Sequence, residues 1–159
     1  LKRCYESYIH TAVETCGNIP FGHFQEIIPY TDWIFFDLKH LDSEAHLSGT
    51  NVRNYRILNN AKRLAEEFHG RLICRLPLIP GFNDSQENIQ AVISFLKEIN
   101  KDEINLLPLH HLGREKYDLL GKEYNALKHP VPDIDKLKKL KNIFSISGIQ
   151  CYIGSETPF

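Results

Sequence analysis

Short apolar runs alternate along this chain with longer stretches whose apolar residues recur every three or four positions. The first pattern predicts strands and the second predicts helices. Strands are predicted at residues 9–15, 33–39, 71–78, 104–110 and 150–153. Among the helices, one starts near Asn54 and carries Ile57, Leu58, Ala61, Leu64, Ala65 and Phe68 on one side, with Gly70 placed to end it. Another follows Gly81, Phe82 and Asn83; Asp84 and Glu87 have capping-box spacing, and Ile89, Val92, Ile93, Leu96 and Ile99 form the apolar stripe. Shorter helices are predicted at 21–28, stopped by Pro29, and at 42–47, and a last one opens at Pro132 and Asp133 with Leu137, Leu140 and Phe144 inward. Residues 111–131 lack a period and read as an extended loop with one helical turn. This order implies an α/β protein with a parallel sheet, in a single domain over residues 1–159.

The two-residue period of a strand then sorts the polar side chains. Glu14 shares a face with Ala12 and His10, Asp37 and Lys39 share the face of Phe35, Arg75 sides with Ile73, and His110 sides with Leu106 and Pro108. The opposite faces are mostly aliphatic or aromatic. Helices covering those faces leave the polar sets to converge at the carboxyl ends of the strands, where the sites of parallel barrels form. A doubly wound sheet would bury both faces, so the pattern predicts an incomplete parallel (β/α) barrel. Both signs of charge plus an imidazole suit a zwitterionic small molecule. Lys39 would act as a point charge for a carboxylate, Arg75 as a planar fork, and Asp37 as the group that orients Lys39.

Composition narrows the partners. With 159 residues, 42% of them hydrophobic and 25% charged, the chain is long enough for one core. A formal net charge of −1 supplies no basic field for nucleic acid. Lys136, Lys138, Lys139 and Lys141 follow Asp133 and Asp135 and read as a solvated helix face. No apolar run reaches the roughly 18 residues of a membrane span, and no secretory pattern opens the chain, so a cytoplasmic location is expected. Cys4, Cys16, Cys74 and Cys151 lack the short spacing of a metal or disulfide framework and read as small buried hydrophobes. His110 and His111 are adjacent, so they face opposite ways and do not read as a metal pair. His23, His46, His69 and His129 read as surface residues.

The stretches 10–17 (HTAVETCG), 35–40 (FFDLKH), 75–84 (RLPLIPGFND) and 106–113 (LLPLHHLG), extended by Lys116, Tyr117 and Gly121, carry a resemblance. In this order they resemble the glycyl-radical-enzyme activating enzymes of the radical SAM superfamily, pyruvate formate-lyase-activating enzymes above all. The resemblance covers essentially the whole chain. It implies a partial barrel that binds a [4Fe-4S] cluster and S-adenosylmethionine and cleaves the latter with an electron from a flavodoxin or ferredoxin. The resulting 5′-deoxyadenosyl radical would take a hydrogen from a glycine of a partner such as pyruvate formate-lyase. By the same resemblance Glu14 and Lys39 address the methionyl part, Asp37 holds Lys39, Thr15 stands beside a monovalent cation site, His110 contacts the adenosine, and Arg75 lines the cavity.

The family's CxxxCxxC motif and Gly-Gly-Glu segment are not found in these residues. A thiolate-held cluster needs cysteines close together. The chain is therefore expected to correspond to the C-terminal two-thirds of an activating enzyme, to begin within a helix, to hold no cluster or catalytic residue of its own, and to be inactive alone. Its first strand would have an open edge, through which self-association is expected. Two further readings stand beside this one. The first is a non-catalytic module that docks a glycyl radical enzyme or a cluster-bearing chain, and the second is a barrel aldolase with Lys39 as a Schiff-base lysine.

Overall fold

Each strand of the sheet lies beside the one before it in the chain. A computed structural model describes residues 1–124 and 128–156. Strands β1 (Ala12–Thr15), β2 (Trp33–Asp37), β3 (Arg71–Leu78), β4 (Glu103–Pro108) and β5 (Gln150–Ile153) form one parallel sheet in the order β1-β2-β3-β4-β5. Helix α1 (Lys2–Glu6) precedes them, and helices α2 (Gly22–Ile27), α3 (Ser43–Thr50), α4 (Tyr55–Glu67), α5 (Gln86–Glu98), α6 (Arg114–Leu119) and α7 (Ile134–Ile146) intervene. Parallel crossovers are right-handed. With no reversal of strand order, each crossover lays its helices on the same side of the sheet, which is the arrangement of a barrel wall.

The core records that side. Phe36, Leu76 and Leu106 from the sheet are fully buried in one cluster with Leu64 of α4, Val92 and Leu96 of α5 and Phe144 of α7. Ile73 is equally buried but lies outside this cluster, on the other face beside its register partner Phe35. The alternation expected for β2 and β3 is thus present, with Asp37 and Arg75 on the face of Phe35 and Ile73.

For β4 the expected parity fails. Leu106 belongs to the helix-covered core, so the face His110 would share with it is the covered one. The residues facing the other way are Glu103, Asn105 and Leu107, with Asn105 in register with Arg75. The strand also ends at Pro108, so alternation does not extend to residue 110. β2 likewise ends at Asp37, two residues before Lys39.

Local chemistry moves two other expectations. The N-cap of α5 is Ser85, whose hydroxyl accepts from the Asn88 amide at 3.2 Å. Asp84 is taken by the preceding turn, where its carboxylate accepts from the Gly81 amide at 2.8 Å and pairs with Lys136. His46, expected at the surface, is buried with its Nδ1 2.7 Å from the Val52 carbonyl. Among the described residues no helix is long and apolar enough to cross a membrane.

At the opposite end of the sheet, Asp32 ties β1 to β2 by accepting from the Thr11 amide at 2.7 Å and the Thr11 hydroxyl at 3.1 Å. The amide hydrogen bond holds its carboxyl below the usual carboxylate range. A depressed folded pKa gives stability that is present above the ordinary carboxylate value and lost as pH falls through the depressed one. Asp32→Asn should therefore melt below the wild type at neutral pH, and the gap should close in acid; thermal melts across pH check this.

Candidate functional site

At the carboxyl ends of β1, β2 and β3 four charged side chains meet. Arg75 is 12% exposed at its side chain, and a guanidinium so withdrawn from water needs anions. Its Nε donates to Asp37 at 2.8 Å, and its two terminal nitrogens reach Glu14 at 2.9 and 3.2 Å. The second Asp37 oxygen lies 3.7 Å from the Lys39 ammonium. The Phe35 ring lies 5.4 Å from the guanidinium carbon. Burial alone would lower the Arg75 pKa, but the hydrogen bonds it donates to Glu14 and the charge of Asp37 outweigh that and raise it above its ordinary value. The network joins two cations to two carboxylates. Glu14 is 68% exposed and Lys39 also reaches solvent, so a ligand can meet both.

Lys39 stands past its strand, and its backbone is fixed by buried asparagines that the sequence reading did not single out. Asn83 donates to the Lys39 carbonyl at 2.8 Å and the Pro77 carbonyl at 2.7 Å, and accepts from the Ile79 amide at 2.8 Å. Asn88 accepts from the Leu41 amide at 2.9 Å, and Asn54 donates to the carbonyls of His40 and Leu41 at 2.9 and 2.7 Å. After β1, Asn60 donates to the Gly17 and Ile19 carbonyls, both at 2.8 Å. Gly17 itself is required, since its φ is +70° and a Cβ there would stand 2.2 Å from the Phe36 ring.

Of the residues expected at the site, Glu14, Asp37, Lys39 and Arg75 are brought together. Thr15 is on the other face of β1, and its hydroxyl accepts from the Gly17 amide at 3.0 Å. His110 is exposed beyond the end of β4 and outside the ion-pair network. Asn105, unexpected, is buried on the network's face, and its Oδ1 has no hydrogen-bond partner.

Among the described residues no group of three or more His, Cys, Asp or Glu is placed to hold a metal ion. Cys4 and Cys16 are exposed, against the expectation of buried thiols, and lie on α1 and beyond β1. Cys74 and Cys151 are buried, and burial pushes their thiols up to about 12. These four do not fit an iron-sulfur cluster. A cleft of about 1040 Å³ opens at the amino ends of the strands beside Trp33, Arg71 and Glu103. There Arg71 pairs with Glu103 at 2.9 Å, and that end of a parallel barrel serves stability rather than chemistry.

No family model matches this sequence. Relatives do. The chain is 46% identical over 160 residues to the 4-hydroxyphenylacetate decarboxylase activating enzyme of Clostridioides difficile, an alignment covering all of this chain and 51% of that enzyme. It is 44% identical over 124 residues to the isethionate sulfite-lyase activating enzyme of Desulfovibrio desulfuricans, covering 77% of this chain and 40% of that one. The chain belongs to the glycyl-radical-enzyme activating enzyme family. Its fold matches the crystal structure of a domain of a pyruvate-formate lyase-activating enzyme from Bacteroides vulgatus with a TM-score of 0.79 and 29% identity, covering 97% of this chain and 86% of that one. The (β/α) architecture is thus that of the radical SAM partial barrel. The chain spans about half the length of the curated relatives it matches.

Two outcomes follow from the site's construction. Under native conditions a thiol reagent should label Cys4 and Cys16, with Cys74 and Cys151 reacting only after unfolding, as counted by mass spectrometry. Asn83→Ala leaves three partly buried main-chain groups without partners and should destabilise the fold by about 3 kcal/mol in chemical denaturation.

Proposed function

We propose that this chain forms the wall of an activating-enzyme barrel against which S-adenosylmethionine lies. The observation that carries the proposal is the four-charge network at the carboxyl ends, on the face opposite the helix-packed core. Its formal charges cancel. A ligand end bearing both an ammonium and a carboxylate can exchange partners with such a network and leave no buried charge unpaired, whereas a simple anion or cation would strand one. Glu14 would accept from the ammonium, Lys39 and Arg75 would hold the carboxylate, and Asp37 would keep both cations in place. Thr15 and His110 enter only through the family resemblance, as neighbours of a monovalent cation and of the adenosine.

S-adenosylmethionine, once bound and reductively cleaved in the whole protein, supplies the radical that removes a hydrogen from a glycine of the partner. The electron would come from a flavodoxin or ferredoxin through a [4Fe-4S] cluster, for which this chain's cysteines are unsuited, so the chain alone should not turn over. The partner is a glycyl radical enzyme. The 46% identity to an activating enzyme named for a decarboxylase and the 44% to one named for a sulfite-lyase, against 29% to the pyruvate-formate lyase-activating domain, support a glycyl radical enzyme other than pyruvate formate-lyase as the partner. The edge of β1 away from β2 carries no strand among the described residues and is the proposed route to self-association.

Calorimetric titration with S-adenosylmethionine tests the site, and Lys39→Ala should weaken binding about tenfold. Equal affinity in wild type and variant would contradict the assignment. After anaerobic addition of iron and sulfide the chain should cleave no S-adenosylmethionine. Stoichiometric cluster with turnover would sink the inactive-alone reading.

A further inference from the structure

Among the described residues, two buried side-chain atoms lack a hydrogen-bond partner, Ser43 Oγ and Asn105 Oδ1. The second stands next to the site. Asn105 is 5% exposed, and its register partner on β3 is Arg75. Side chains in register on adjacent strands rise from backbones about 4.8 Å apart, well within the reach of an arginine. An acceptor in register with a five-donor guanidinium is left unpaired, and the sheet order explains it. Arg75 leans across β2 to meet Asp37 and then Glu14 on β1, which carries its guanidinium away from β4.

We infer that Asn105 is a positioning residue that provides a second berth for the Arg75 guanidinium, occupied when a ligand ammonium takes Glu14. This rests on the proposed S-adenosylmethionine site and adds to it the rearrangement that binding requires. In the ligand-free chain Glu14 is bidentate to Arg75, so the carboxylate meant for the ammonium is already engaged. When the ammonium displaces it, Arg75 loses its partner on β1 and keeps the one on Asp37. Asn105 Oδ1 then accepts from a terminal N–H of Arg75, whose remaining donors turn toward the ligand carboxylate. A buried acceptor left unmet in one state and met in the other biases the exchange toward the liganded state.

Two experiments test this. In a crystal structure of Glu14→Ala without ligand, a terminal nitrogen of Arg75 should lie within hydrogen-bond distance of Asn105 Oδ1. Arg75 still turned toward β1, with Oδ1 bonded to water or to nothing, overturns the second berth whether or not the chain binds S-adenosylmethionine. In titrations, Asn105→Leu should weaken S-adenosylmethionine about tenfold and leave 5′-methylthioadenosine, which lacks the amino-acid end, unchanged. Asn105→Asp, which keeps an acceptor, should restore the affinity, and the melting temperature of Asn105→Leu should not fall. Loss of both ligands by the same factor, or of neither, overturns the inference. A wild type that binds both ligands equally overturns the site reading and the ligand's part in the exchange, while the Glu14→Ala structure still decides the berth.

Discussion

A guanidinium taken out of water must be surrounded by anions, and Arg75 meets that condition only through side chains from two other strands. Asp37 comes from β2 and Glu14 from β1, so the ion pairs exist only while β1, β2 and β3 are consecutive neighbours. The same consecutive order sends every crossover to one side. The helices then bury Phe36, Leu76 and Leu106, and the opposite face is left to Phe35, Ile73 and the charges above them. Fold and site are two consequences of one topological choice.

Precision at the site comes from uncharged groups. The glutamate, lysine and arginine of the network are long and flexible, whereas the chain leaving β2 is held by short, rigid carboxamides. Asn83, Asn88 and Asn54 satisfy main-chain donors and acceptors from Lys39 to Leu41, in a stretch where no strand or helix would satisfy them. Asn60 does the same for the turn after β1. Each lies in or beside an element that packs on the core, so the position of Lys39 is inherited from the hydrophobic interior.

The sequence made the alternation of elements visible because apolar periods of two and of nearly four are hard to confuse over a dozen residues. β3 and β5 fall where the apolar run places them. The parity of Asp37 and Arg75 was equally legible, since a lone charge in an apolar run has only one other face to occupy. What stayed hidden depends on where a strand stops. β4 ends at Pro108, so counting in twos to His110 carried the alternation onto residues that are no longer a strand, and Asn105 on the open face was passed over. The asparagine clamps were partly readable. Asn60 occupies the inward helical position between Ile57 and Leu64, where an amide has no reason to be unless it binds main chain. The exposure of Cys4 and Cys16 was not readable, because α1 buries none of its residues and the turn after β1 buries Gly17 without burying Cys16.

The carboxyl-end network, and not the cleft at the amino ends, is the proposed seat of S-adenosylmethionine. Backbone amide NMR of the labelled chain during titration with S-adenosylmethionine tests it directly. Shifts should concentrate at Glu14, Asp37, Leu38, Lys39, Arg75 and Asn105, with Trp33, Arg71 and Glu103 unmoved. Shifts centred on Trp33, Arg71 and Glu103, with the carboxyl-end residues silent, would contradict the account.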